Sequence, residues 1–291
     1  MSDAAALDAL SALAWLRDVG ADDAVLEAPV DRYAAAPAPL AEPPAERPGQ
    51  ARPAEPRRTA PRPASERPAY ESGTARQIDA ALRPAAALDR SADLQSARAL
   101  AEAATTLDEL RAALERFEGC PLKKAAKNLV FADGNPAADL MFVGEAPGRD
   151  EDERGLPFVG VSGQLLDRFL GGIGRDRTSA YIVNVLPWRP PDNREPALAE
   201  ASVCLPFLLR HIALVRPRIV VALGATAARN LLNTTEGITR LRGTWHTLDA
   251  NHHTCQAMAT FHPAALLRQP LNKRYVWRDF LAVAERLENF K

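Results

Sequence analysis

Hydrophobic and polar positions divide the chain into unlike stretches. Leu7, Leu10, Leu13 and Leu16 recur every third residue, with Asp3 as candidate N-cap and Gly20 as candidate C-cap, which predicts a short helix in an N-terminal segment covering 1–33. That helix either packs on the main domain or docks on a protein partner. Residues 34–91 follow as a linker, because Ala, Pro, Arg and Glu alternate there without any apolar period. Leu100, Ala103, Leu107, Leu110 and Leu114 then fall at helical spacing and predict one helix from Ser96 to Phe117, near the start of a globular domain covering 92–291.

Four short apolar runs inside that domain read as strands: Asp139 to Val143, Ala180 to Val185, Arg218 to Leu223 and Gln256 to Phe261. Helical patterns separate them, over Gly163 to Leu170, Pro196 to Leu214, Ala225 to Leu232 and about Lys273 to Glu288. Alternation of this kind predicts an α/β domain with a mostly parallel sheet of four strands.

Composition changes this picture in two places. Ten of the 24 prolines lie between Pro37 and Pro68, where Leu40 is the only large aliphatic residue, so the folded mass is smaller than 291 residues suggest. Lys and Arg number 36 against 37 Asp and Glu, so any DNA contact has to come from local clusters of basic side chains. The start lacks the basic and apolar regions of a secretory signal, and no run of about 18 apolar residues occurs. The expectation is therefore a cytoplasmic, nucleoid-associated chain with no membrane contact, and a monomer. Cys120, Cys204 and Cys255 are too few for a disulfide framework or a four-thiolate metal site.

The candidate chemistry sits where the strands end. Gly144-Glu145-Ala146-Pro147-Gly148 follows the first, Asn184 and Trp188-Arg189-Pro190-Pro191 close the second, Gly224-Ala225-Thr226 follows the third, and His262-Pro263 the fourth. Ligands of open parallel sheets bind outside the carboxyl ends of the strands, so a carboxylate, a carboxamide and an imidazole are expected to converge on one crevice.

These segments, together with Glu151-Asp152, Gly155 to Gly160, Arg189 to Arg194 and His262 to Arg268, occur in an order that resembles a family 4 uracil-DNA glycosylase over roughly residues 115–290. The resemblance implies a three-layer α/β/α fold around a central four-stranded sheet, and an enzyme that flips uracil out of DNA and hydrolyses its N-glycosidic bond. The alternative is a DNA-binding module that recognises uracil or an abasic site with little turnover. Asn184 suits the reading of uracil, since its carboxamide can accept from N3–H and donate to O4, whereas cytosine mismatches both groups. His262 suits donation to O2 as negative charge develops, and Glu145 suits orientation of water and stabilisation of a cationic sugar. Asp152 and Glu151 are reserve carboxylates.

By resemblance, Phe158 stacks on uracil beside Gly144 and Ala146, Glu151 lines the pocket near C5, Leu266 or Leu267 fills the gap left by the extruded base, and Arg268, Arg189 and Arg194 contact phosphates. Arg240 and Arg242 are placed in loops on the same edge. Family 4 enzymes usually carry an iron-sulfur cluster on four cysteines, but the matching positions here are Phe117, Cys120, Trp188 and Cys204. Two thiolates are too few for a standard cluster, so none is expected, and Phe117 and Trp188 are expected to fill the vacated volume. No other cofactor is implied.

Overall fold

The structure, a computed structural model, describes residues 91–290. The expected N-terminal helix and linker therefore lie outside the described residues, except that the chain is already helical at residue 91, one position before the expected domain start.

The expected helix Ser96 to Phe117 is two helices. Helix α1 covers 91–103 and α2 covers Leu107–Arg116. The break follows from Thr106, whose hydroxyl accepts from Glu109 N at 3.2 Å, while Glu109 Oε2 accepts from Thr105 N and Oγ1. A threonine cap with a glutamate three residues later starts a new helix more strongly than the leucine period continues the old one.

The sheet has six strands: β1 (Asp133–Gly134), β2 (Leu140–Gly144), β3 (Tyr181–Asn184), β4 (Ile219–Leu223), β5 (Trp245–Ala250) and β6 (His253–Thr260). Their order is β1-β3-β2-β4-β6-β5. The four inner strands are the expected ones and are mutually parallel, while β1 and β5 add antiparallel edges. The expected four-stranded sheet is thus the centre of a wider mixed one. Asp133–Gly134 is too short to show a period, and β5 reads Trp-His-Thr-Leu-Asp-Ala with only Leu248 and Ala250 buried.

Alternate residues of the inner strands enter two separate cores, which makes three layers. Met141, Val143, Val183, Val220 and Ala222 face α1, α2, α5 (Leu198–Val215) and α6 (Ala225–Leu232). Leu140, Phe142, Ile182, Val221 and Leu223 face α4 (Val161–Gly172), α8 (Pro263–Arg268) and α9 (Lys273–Glu288). Inner strands apolar on both faces are what a parallel sheet covered by helices requires. Helix α5 is long and apolar enough to cross a membrane by length and composition, but Ala201, Cys204, Phe207, Leu208 and Ile212 are buried in the first core. Short helices α3 (Arg149–Arg154), α7 (Ile238–Leu241) and α8 escape the hydrophobic pattern, since four to six residues make barely one turn or two.

Candidate active site

Strands β2, β3 and β6 end on one edge of the sheet, and residues at or just beyond their ends line a single cleft of about 730 Å³. Glu145, Ala146, Glu151, Phe158, Asn184, Arg194, His262 and Arg268 all face it. Three polar groups from three strand ends are brought together as the alternation of elements implied.

Gly144 is the floor of the recognition corner. A Cβ there would lie 2.3 Å from Asn184 Oδ1 and 2.6 Å from Phe158 Cε2 and Cζ, so only glycine lets the carboxamide and the ring approach each other across the strand end. Asn184 is 5% exposed, and its Oδ1 is buried with no hydrogen-bond partner. An unpaired acceptor in such a place costs free energy unless a ligand supplies the donor. Parallel pairing with Gly144 and the bonds from Val185 N to Gly144 O and Leu186 N to Glu145 O carry the ladder past Asn184 and hold it in place.

Phe158 occupies the left-handed region at φ 54° and is buried. Its ring lies 5.5 Å from that of His262 at an interplanar angle of 30°, leaving both rings on the cleft wall. The Glu151 carboxylate supports this turn: Oε1 accepts from Val159 N and Gly160 N, and Oε2 from Gly148 N, each at 3.0 Å. Glu151 therefore lines the cleft with its oxygens already engaged, which removes it as a reserve base. Asp152 is removed too, because it is buried and Oδ1 accepts from Lys127 N and Asn128 N.

His262 caps α8, with Nδ1 accepting from Ala264 N at 3.2 Å. That bond places the proton of the neutral ring on Nε2. Burial, and secondarily the nearby Arg268 charge, pushes the imidazole down to about 4. Gly224, at φ 93°, gives the ring its room, since a Cβ there would sit 3.0 Å from His262 Cβ. Glu145 is half-buried, and its carboxylate has no hydrogen bond or ion pair within the chain among the described residues.

Two expectations for DNA contact, those for Leu266 and Arg242, are corrected. Leu266 is 0% exposed and packs in the second core, because Pro263–Arg268 is a helix that turns positions 263 and 266 inward. Leu267, 46% exposed, is the apolar side chain that faces out. Arg194 stands at the cleft but forks onto Glu200, with Nη2 to Oε1 at 2.6 Å and Nη1 to Oε2 at 2.9 Å. Arg242 is an internal cation, bonded to Asp279 and to Tyr275 O. Arg268 is exposed at the cleft, and Arg189 donates from Nε to Asn193 Oδ1 at its margin.

The region matching the cluster position does not fit a four-thiolate cluster. Cys120 and Cys204 are buried and share a hydrogen bond that, with burial, raises the Cys204 thiol well above its ordinary range. Phe117 and Trp188 are buried in the same core, and Phe117 packs on Phe207 with ring centroids 5.2 Å apart. No group of three or more His, Cys, Asp or Glu side chains placed to hold a metal occurs among the described residues.

Sequence reasoning missed Arg177, which lies outside the cleft and donates to the carbonyls of Pro157 and Phe158. No sequence signal marks it, since its partners are 10 to 44 residues away.

Comparison with known proteins agrees with this geometry. A family pattern described as the uracil DNA glycosylase superfamily matches residues 131–281. A type-4 uracil-DNA glycosylase of Archaeoglobus fulgidus is 38% identical over 184 residues, 62% of this chain and 92% of the relative. That of Saccharolobus solfataricus is 37% identical over 188 residues, 63% of this chain and 87% of the relative. That of Thermotoga maritima is 39% identical over 169 residues, 57% of this chain and 86% of the relative.

Proposed function

The chain belongs to the uracil DNA glycosylase superfamily, and from that premise we propose that it is a monofunctional DNA repair glycosylase that swings uracil out of DNA and hydrolyses the bond between uracil N1 and the sugar. The observation that carries the reading is Asn184, which lines a cleft with an aromatic wall and whose buried Oδ1 has no hydrogen-bond partner. A base in a duplex is out of reach of water, so the nucleotide must leave the stack to enter that cleft. There Oδ1 accepts from N3–H and Nδ2 donates to O4, while the Phe158 ring supports the base, a contact worth about 1–3 kcal/mol. Cytosine offers no N3–H and would leave Oδ1 unpaired still.

As the N1–C1′ bond breaks, its electron pair goes to uracil and C1′ becomes cationic. Neutral His262 donates from Nε2 to O2, where the new negative charge is shared, and one such donor is worth about 100- to 1000-fold in rate. Carboxylate Glu145 stabilises the sugar cation and orients the water that adds to C1′, and the water's proton leaves through that carboxylate. The products are free uracil and an abasic site. Leu267 takes the place of the extruded base, and Arg268 and Arg189 hold flanking phosphates.

The site works without an iron-sulfur cluster. Burial of Phe117, Trp188, Cys120 and Cys204 in one hydrophobic core supports this, since large apolar side chains stand where two of the thiolates would be needed. The test is excision from a single-uracil oligonucleotide under single turnover, with a thymine control. Glu145→Ala and His262→Ala are expected to lose at least about 100-fold in rate while still binding the DNA; unchanged rates would overturn the assignment of both residues.

A further inference from the structure

Phe158 is a large aromatic residue at a backbone conformation that side chains rarely adopt. Its turn is held from behind. Arg177 Nη1 donates to Pro157 O at 3.2 Å, and Nη2 donates to Phe158 O. The guanidinium is itself fixed by Asp133 on β1, at 2.6 Å from Nη1, and by Asp167 on α4, at 2.9 Å from Nε. Space is cleared for the same carbonyl by Gly163, where a Cβ would lie 1.7 Å from Phe158 O.

We propose that Arg177 is a positioning residue for uracil recognition, one that locks the Pro157–Phe158 turn in its left-handed form and so sets the plane of the Phe158 ring against Asn184 and His262. This rests on the reading of the cleft as a uracil site. Arg177 does not line the cleft, so its effect passes entirely through the turn. A fork is needed because two successive carbonyls and two carboxylates must be met at once, which a guanidinium does with its five donors and a single ammonium does not. The amide side of the turn is held separately, by the bonds of Glu151 to Val159 N and Gly160 N. With Arg177 removed, the carbonyls lose their donors and the turn relaxes towards negative φ, carrying the ring out of the cleft wall.

The test is a double-mutant cycle on the affinity for free uracil, read by chemical-shift titration of the full chain, because the shifts of the folded-state resonances report binding to the folded protein alone. Arg177→Met is expected to weaken uracil binding about tenfold, comparable to Phe158→Ala, with Arg177→Lys recovering part of the loss. In the Phe158→Ala background, Arg177→Met is expected to add less than about twofold, because its effect has already been removed. If Arg177→Met does not fold, Asp167→Asn leaves the guanidinium present but less anchored, and its smaller loss must likewise vanish in the Phe158→Ala background. Equal losses in both backgrounds, or unchanged affinity in the single variant, would overturn the proposal. Failure of the wild-type chain to bind uracil would instead overturn the reading of the cleft, and the proposal with it.

Discussion

At the scale of single residues, the site depends on polar atoms left open for a ligand. Asn184 Oδ1 is buried and unpaired, Glu145 has no hydrogen bond or ion pair among the described residues, and His262 spends Nδ1 on Ala264, which leaves the proton on Nε2. Because burial pushes His262 down to about 4, the ring is neutral near pH 7. The single-turnover rate is therefore expected to show no inflection near 6.5 from this residue and to fall only as pH approaches about 4, where the charged ring forms. An inflection at 6.5 that disappears in His262→Ala would contradict the neutral-donor role. Gly144, Asn184 and His262 were legible in the sequence because each closes or follows an apolar run, and strand ends are where such sheets bind ligands. The support of Phe158 was not legible, since Arg177 and Glu151 reach it through contacts that no local spacing encodes.

At the scale of elements, the informative failure is α8. Six residues opening on Pro263 are too few for a helical period to stand out, so Leu266 and Leu267 were equivalent in sequence, and only the helix separates them. Leu266→Ala is expected to cost about 2–5 kcal/mol in chemical denaturation, as for a leucine fully buried in the second core. Leu267→Ala is expected to leave stability within about 0.5 kcal/mol and to slow uracil excision from duplex DNA more than from single strands, where there is no stack to fill. The reverse pattern in the two variants would place the wedge back at Leu266. The inner strands were readable for the opposite reason: β2 and β4 are apolar at every position, and β3 is apolar up to Asn184, because helices cover both faces.

At the scale of the whole molecule, acid stability and metal content are set by what the core encloses. His262 and His211 are held near 4 and near 3, the latter by burial and then by the Arg111 charge. Both bind fewer protons folded than unfolded between about 6.5 and those values, so stability conferred by their neutral forms is complete above about 6.5 and is lost as pH falls through that window. Thermal melting is expected to drop over pH 6.5 to 4, with His211→Asn flattening part of the slope; a melting temperature constant over that range would contradict the burial of both rings. Purified protein is expected to be colourless, with far less than stoichiometric iron, and to keep its excision activity after chelation. Co-purification of four iron atoms per chain would show that the Phe117 and Trp188 region rearranges to admit a cluster. The most direct test of the account is release of free uracil from a single-uracil oligonucleotide by the wild-type chain and by Asn184→Ala, with thymine and cytosine substrates in parallel. Uracil-selective release that falls by about 100-fold or more in the variant is expected; equal release by both proteins, or binding of the uracil strand without any release by the wild type, would overturn the assignment of Asn184 and of the activity.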